Sequence, residues 1–411
     1  MFDFADFSID ASIPENAEFS GGPYIPDAAE CMRCGMCVSH CPTFRLTQID
    51  AETPRQRIRT LSKLLVEDAP PNAQELFHLD NCLQCRACEA VCPSRMPYSA
   101  LFEQALAQRP PKLGRLARLA FYLIEHKRWR YALLPIVRLY AKLFENTPRH
   151  DLKFWRLFGL DSAAAALQAP ALGALPGFFP AAAKRGTVAL FTGCLAEHLD
   201  RLALEAAVKL LNAIGYNVIA PPEQSCCGAL HQHAGLSAAA LQAQNQAVFN
   251  ALDVDAVLHA ASGCGAVLSE YPGDGEAERR FRDRLQDAAE FIAAHWPDDL
   301  TLKPLAQTVA VHEPCSQRNV LKNQQAVYDL LAKIPQLQVQ ALAGNNLCCG
   351  AGGAYFLTHP ENAAALRDIK QEHMQASGAD CIVSANYGCA TWLQTEALPV
   401  IHPLLLLSRQ L

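Results

Sequence analysis

The sequence contains no uninterrupted run of about 18 apolar residues, so no membrane-spanning helix is expected. It has no apolar signal-peptide core at its start, where Met1–Asp10 already carries three acidic residues. It has no excess of basic charge: 35 Lys and Arg stand against 41 Asp and Glu, a formal charge of −6, which speaks against nucleic acid as a partner. A G-x-G-x-x-G fingerprint is missing too; Gly350-Ala-Gly352-Gly353 runs into Ala-Tyr355 where a further glycine would be needed. With no P-loop either, the chain shows no flavin site of its own. What it does have is apolar material, 51% hydrophobic against 18% charged over 411 residues. That composition excludes a largely disordered chain and a collagen-like or coiled-coil rod, and the length points to two or three domains.

Cysteine is the outlier. There are 17, an odd number, bunched in short windows. A secreted disulfide scaffold does not fit that pattern, whereas a reducing compartment that keeps thiols free as ligands does. The expected location is the cytoplasm.

Composition divides the chain into regions. Residues 1–108 hold eight cysteines in two windows joined by helix-like sequence. Thr53-Pro54 reads as an N-cap and first-turn proline opening a helix to Leu64, and Met96-Pro97 precedes a second helical pattern ending at Gln108. Residues 109–185 contain no cysteine. Lys112–Lys142 carries eight Lys and Arg and one acid among Leu, Ile, Phe, Trp and Tyr, and Ala163–Ala183 reads as a linker. The basic stretch is either a pair of amphipathic helices with solvated charges or a surface for anionic lipid or a membrane-bound partner.

Residues 186–411 repeat internally, with units expected at 186–300 and 301–411. Thr187–Cys194 and Thr308–Cys315 are apolar runs ending in cysteine. Each leads to a helical pattern, a short strand-like run (Tyr216–Ala220, Leu337–Leu342), then Cys226-Cys227-Gly228-Ala229 or Cys348-Cys349-Gly350-Ala351. A long Ala/Gln-rich helix and another apolar run, Asp255–Cys264 or Asp380–Cys389, follow. Equivalent cysteines are offset by 121, 122, 122 and 125 residues, so two copies of one βαβ-type unit are present. The expected fold is multidomain α + α/β: a helical cysteine-rich domain, a helical linker, and a duplicated α/β part with mainly parallel sheets.

Cys31-x2-Cys34-x2-Cys37-x3-Cys41-Pro42 and Cys82-x2-Cys85-x2-Cys88-x3-Cys92-Pro93 carry the strongest chemistry. Three thiolates at two-residue gaps can wrap three corners of one cube, and the fourth, ahead of proline, points to the other cluster. One [4Fe–4S] cluster therefore takes Cys31, Cys34, Cys37 and Cys92, and the other takes Cys82, Cys85, Cys88 and Cys41. Tetrahedral zinc also uses CxxC pairs, but it has no use for the additional cysteines. The pattern resembles that of bacterial two-cluster ferredoxins, with a helical insertion between motifs that start 51 residues apart, as in the helical ferredoxin domains of multi-subunit dehydrogenases.

Adjacent cysteines rarely form a relaxed disulfide, because the peptide between them prefers to be planar and trans. They can, however, present two thiolates from one turn, with glycine allowing close backbone approach. Cys194, Cys264, Cys315 and Cys389 close apolar runs, and so are expected at the C-terminal ends of strands, the ligand-binding edge of an open α/β sheet. Cys194, Cys226, Cys227 and Cys264 can converge in one half, and Cys315, Cys348, Cys349 and Cys389 in the other. Such quartets can ligate a metal or cluster, act as a redox dithiol or flavin-facing thiol, or pack around a lost site. Cys381 has no repeat partner and reads as a buried core thiol.

A two-cluster ferredoxin domain followed by two Cys-Cys-Gly repeats resembles the glycolate oxidase iron–sulfur subunit family over nearly the whole chain. The resemblance includes Thr53–Ile58, Ala261–Ala266, Leu347–Gly350, Thr358-His359-Pro360 and Ala385–Cys389. The anaerobic glycerol-3-phosphate dehydrogenase iron–sulfur subunit, the lactate-utilisation proteins and heterodisulfide reductase share parts of the pattern. The heterodisulfide reductase repeat ends in CxxC, where this chain has Ala261 and Asn386. That argues against five-cysteine clusters and leaves four cysteines per half for an ordinary one. Gln56 stands where the family usually has glycine.

The resemblance implies that a partner FAD subunit oxidises glycolate or a similar 2-hydroxy acid. This chain would take electrons singly from the reduced flavin and pass them to an acceptor, quinone by implication, from the cytoplasm or the inner face of the cell membrane. The alternatives are the same role in a lactate or glycerol-3-phosphate dehydrogenase, or direct thiol–disulfide catalysis. His231, His233, His312 and His359 flank the cysteine motifs and read as hydrogen-bonding or loop residues, with ligation or proton handling as the alternative. Arg55, Arg57 and Arg59 read as a solvated helix face, with docking of an acidic partner as the alternative. Cys92→Ala should disturb the centre held by Cys31, Cys34 and Cys37; spectroscopic loss confined to the Cys82–Cys88 centre would contradict the crossing pairing. Anaerobically purified protein should contain about eight irons for two ferredoxin-type clusters, and about twelve or sixteen if the repeats are occupied.

Overall fold

The computed structural model describes residues 30–67, 69–109, 115–133 and 175–411. Most of the cysteine-free segment, including both ends of the basic stretch and residues 163–174 of the expected linker, lies outside the described residues.

The first part is helical, with no strand among its described residues: Pro42–Thr47, Pro54–Leu65, Ala73–Asp80, Ala87–Ala90 and Tyr98–Gln108. Thr53 caps the helix Pro54–Leu65, its hydroxyl accepting from the Gln56 N–H at 3.4 Å, and Pro54 occupies the first turn where its missing N–H costs nothing. Asn72 and Glu75 close a capping box at the next helix. Ile58, Leu61, Leu79, Met96, Leu101 and Phe102 form the small core, against which Cys31, Cys82, Cys88 and Cys92 pack.

The second part contains two sheets with one plan. Strands β1 (Phe178–Phe179), β2 (Gly186–Phe191), β3 (Tyr216–Ile219), β4 (Ala256–His259) and β5 (Leu285–Asp287) run in the order β1-β3-β2-β4-β5. Strands β6 (Thr308–His312), β7 (Gln338–Ala341), β8 (Cys381–Ser384) and β9 (Val400–Ile401) run β7-β6-β8-β9. All pairings are parallel except β1 on β3, which adds an antiparallel edge to the first sheet only. In each copy the first parallel strand, β2 or β6, lies between the next two, β3 and β4 or β7 and β8. The strand order reverses there, and that is where open α/β sheets bind ligands. Asp255 and Asp380, at equivalent places, accept from the Thr187 and Thr308 N–H groups at 2.9 and 2.7 Å and fix the start of each central strand.

Side-chain alternation on the central strands builds the layers. Val188 and Leu190 of β2, and Val309 and Val311 of β6, enter one core shared by both halves. That core is closed by helices Arg201–Ala213, Ala288–Ala294, Gln325–Leu331 and Pro403–Ser408. Ala189 and Phe191 face the other way, into an outer core with Phe249, Tyr271, Phe281, Cys194, Cys226 and Cys227. Ala310 faces its counterpart with Leu342, Met374, Ile382, Cys349 and Cys389. Cys381 lies in the shared core, 4% exposed, as a core thiol should.

Cys264 and Cys389 differ from expectation. Their apolar runs split, and each cysteine sits in the first turn of the following helix, Ser262–Leu268 or Tyr387–Leu393, instead of at a strand end. Helical Cα–Cβ bonds tilt toward the helix N-terminus, so these thiols still face back to the strand edge. No helix among the described residues is long and apolar enough to cross a membrane.

Leu330, fully buried in the shared core, tests the union of the two halves. Leu330→Ala should cost about 2–5 kcal/mol in denaturant unfolding and lower hydrogen-exchange protection in β2 as well as β6. Loss confined to β6 would mean that the halves are stabilised separately.

Candidate metal centres

The first motif curls round a hollow of about 480 Å³ lined by Cys31, Cys34, Cys37 and, from the second motif, Cys92. Burial pushes the Cys37 thiol up to about 11, helped by the charges of Cys31, Cys34 and Cys92. These four thiols therefore share one neighbourhood. A second hollow, of about 330 Å³, is lined by Cys41, Cys82, Cys85 and Cys88. Burial raises Cys88 well above the usual thiol range, followed by repulsion from Cys82, Cys85 and Cys41. Each motif thus lends its last cysteine to the other nest.

The loops bend alike. Arg33 and Gln84, equivalent in the two motifs, both have φ of 51°, and Gly35 and Arg86 follow at 82° and 59°. Left-handed backbone is costly for arginine and glutamine, and Arg86 is held by ion pairs to Glu89 and Glu270 at 2.7 and 2.6 Å.

The donor set suits an iron–sulfur cluster. Each nest is lined by at least four cysteines; the first also has Cys88 and Glu89 at its wall, and the second has no carboxylate. Hydrogen-bond donors already face the sulfurs: Tyr98 Oη and the Gln84 N–H reach Cys82 Sγ at 3.5 and 3.4 Å, and the Met96 N–H reaches Cys92 Sγ at 3.5 Å. Among the described residues, no three His, Cys, Asp or Glu side chains surround a point suited to a single ion.

Arg57 corrects the sequence reading of a solvated arginine face. Arg55 is partly exposed and pairs with Asp50 at 2.6 Å, but Arg57 is 2% exposed. Helical phase explains the difference: Arg57 lies on the same face as Pro54, Ile58 and Leu61. Burial opposes its charge, yet Cys82, Tyr98, Cys41 and Glu52 outweigh that effect and hold it firmly protonated.

The Cys-Cys-Gly quartets assemble in matching ways. Cys226 Sγ lies 3.2 Å from Cys194 Sγ, and Cys349 Sγ lies 3.1 Å from Cys389 Sγ. Cys227 also contacts Cys264, and Cys315 contacts Cys348. Gly228 and Gly350 follow the cysteine pairs with φ of 91° and 92°, a left-handed turn that glycine adopts without strain. Where a further cysteine would complete CxxC, Asn386 instead caps its helix, accepting from the Cys389 N–H at 3.3 Å. Its amide also bridges to Ser262 and Ser316 at 3.2 and 3.4 Å.

Two buried cations escaped sequence analysis. Lys370 is wholly buried beside the second quartet, with Nζ donating to Gly344 O at 2.6 Å; burial lowers its pKa, and the four cysteine charges oppose that fall. Arg130, from the basic stretch, is buried, and its charge opposes the rise that the Cys226 contact and burial impose on the Cys194 thiol. That stretch is not simply solvated: Lys127 pairs with buried Glu197 at 3.0 Å and Glu125 with His231 at 2.9 Å. None of the four flanking histidines hydrogen-bonds a cysteine. His231 meets Glu125, the His233 carbonyl accepts from Gln84, His312 meets Ser384, and His359 meets Thr358.

The two parts of the chain meet at the sulfur sites. Leu83, Leu347, Cys348, Tyr355 and Leu366 form one buried cluster, with Cys85 and Cys315 packed against it. Burial, followed by the charge of Cys348, raises the Cys85 thiol well above the usual range. Asn319 donates to Cys85 O at 2.8 Å, and Tyr355 Oη donates to Asn81 Oδ1 at 2.6 Å. Gly352, read above as part of an incomplete nucleotide motif, serves this contact: a Cβ there would stand 2.7 Å from Leu83 O.

A model of the 4Fe-4S dicluster domain matches residues 27–96, and one of the cysteine-rich domain matches residues 188–269 and 309–394. The probable glycolate oxidase iron-sulfur subunit of Bacillus subtilis (strain 168) is 32% identical over 385 residues, covering 87% of this chain and 86% of its own. The glycolate oxidase iron-sulfur subunit of Escherichia coli (strain K12) is 29% identical over 88% of this chain and 89% of its own. Lactate utilization protein A of Shouchella clausii (strain KSM-K16) is 26% identical over 49% of this chain and 87% of its own. With the nests, the paired quartets and these relatives together, the chain belongs to the family of glycolate oxidase iron–sulfur subunits.

Proposed function

We propose that this chain is the electron-transfer subunit of a complex that oxidises glycolate or a close 2-hydroxy acid, the oxidation itself occurring in a partner subunit that carries FAD. Residues 1–108 form the ferredoxin-type domain, 109–185 the connecting basic segment, and 186–300 and 301–411 the two cysteine-rich repeats. Cys31, Cys34, Cys37 and Cys92 hold one [4Fe–4S] cluster, and Cys41, Cys82, Cys85 and Cys88 the other. The quartets Cys194, Cys226, Cys227, Cys264 and Cys315, Cys348, Cys349, Cys389 hold further iron–sulfur centres. When bound, such clusters supply reversible one-electron storage.

The observation that carries this reading is the packing of Cys85 and Cys348 around one apolar cluster. Leu83 and Leu347 exclude water between the second nest and the second quartet, and Gly352 lets the backbones approach. Lys370 supports occupancy of that quartet, because a wholly buried ammonium with a single carbonyl partner needs anionic sulfur nearby. The acceptor we favour is a quinone, reached from the cytoplasmic face of the membrane. Exposed Leu119, Tyr122 and Trp129 beside Arg118 and Arg128 suit such a surface.

The chain, tagged and purified anaerobically from its own cells, should bring down a flavoprotein, and glycolate should bleach its visible absorption. A preparation without flavin, or one that only lactate or glycerol 3-phosphate bleaches, would overturn the glycolate reading. In the same complex, Gly352→Val should keep iron content and flavin reduction while slowing delivery to quinone; undiminished delivery would remove the proposed crossing.

A further inference from the structure

Arg57 is buried at the wall of the second nest, lining the same hollow as Cys41, Cys82, Cys85 and Cys88. Its Nη1 donates to Cys41 Sγ at 3.4 Å, Nε to His78 O at 2.7 Å and Nη2 to Thr43 Oγ1 at 2.9 Å. Nη2 also pairs with Glu52, whose other oxygen accepts from His78 Nδ1 at 2.6 Å. Three residues, His78, Thr43 and Glu52, thus fix one guanidinium against one sulfur. Among the described residues the first nest has no equivalent: of the two arginines that line it, Arg33 is exposed, and Arg55 is 39% exposed and paired to Asp50 at 2.6 Å, so solvent screens both.

Hydrogen bonds to ligand sulfur and buried charge set the potential of an iron–sulfur centre. An added electron makes the centre more negative, and a buried cation favours that state more than an exposed one can. We propose that Arg57 is a positioning residue that raises the reduction potential of the second nest above that of the first, with Glu52 acting in the opposite sense. The proposal rests on the reading of Cys41, Cys82, Cys85 and Cys88 as cluster ligands. The step it governs is the gain of one electron from the reduced-flavin donor, with no bond made or broken and no proton moved. Its consequence is direction: electrons entering at the first nest run downhill toward Cys85 and the second quartet.

The test is an EPR-monitored anaerobic redox titration of the full chain with dithionite, with Cys92→Ser identifying the first nest's signal. Arg57→Gln should lower the reduction equilibrium constant of the second nest about tenfold, or about 59 mV for one electron. Arg57→Lys should restore part of that loss, Glu52→Gln should shift the same centre upward, and the first nest should stay put. Opposite shifts are not expected of residues that merely hold the loop. Shifts of one sign in both variants, or an unmoved second nest, would overturn the proposal while leaving the ligand reading intact. Wild-type protein lacking a second ferredoxin-type signal would overturn both. If Arg57→Gln does not accumulate with iron, the sign of the Glu52→Gln shift decides.

Discussion

Gathering sixteen cysteines into four groups, all but Cys34 buried or half-buried, sets the main electrostatic problem of this molecule. A thiol taken out of water resists ionisation, and each neighbouring thiolate adds to that resistance, so most of the nest and quartet cysteines with shifted pKa values are pushed upward. The structure answers with buried cations: Arg57 at the second nest, Lys370 at the second quartet and Arg130 near Cys194. A lone buried charge of either sign would be costly. Brought together in a low dielectric, sulfur and cation support each other.

The duplicated α/β part supplies rigid edges on which these groups can be placed. In both copies the cysteines follow the C-terminal ends of parallel strands, and the pair before the turning glycine meets two others from separate elements. Sharing one core ties the copies together. Lys209 Nζ donates to Ser408 O at 2.7 Å, and His402 Nε2 meets Ala260 O at 2.7 Å, so the last helix of the second copy rests on the first. Asn386 adds a polar bridge at the same seam, using the position that a further cysteine would have taken.

Contact between the helical part and the second repeat is dry where the sulfur sites adjoin and polar beside them. Leu83 and Leu347 fill the apolar portion, while Asn81, Tyr355 and Asn362 form a hydrogen-bonded edge. Such an arrangement fixes orientation through directional bonds and excludes water through packing. The exposed ion pair of Arg86 with Glu270 adds little by comparison.

The sequence by itself determined the cysteine groups whose members lie close along the chain and the existence of two α/β copies. CxxCxxC spacing dictates a loop that turns its sulfurs inward, and near-equal offsets between cysteines dictate equivalent strands. The cap at Thr53 and the core position of Cys381 were legible for the same reason, since both depend on neighbouring residues and local periodicity. Arg57 was half legible: its helical phase matched Ile58 and Leu61, but its charge argued for solvent until Glu52 and Cys41 were seen to surround it. Lys370, Arg130, the meeting of Cys85 with Cys348 and the close fit at Gly352 were decided only by tertiary structure. Each depends on which distant side chains fill a shared space, and that outcome of packing leaves no periodic trace in the chain.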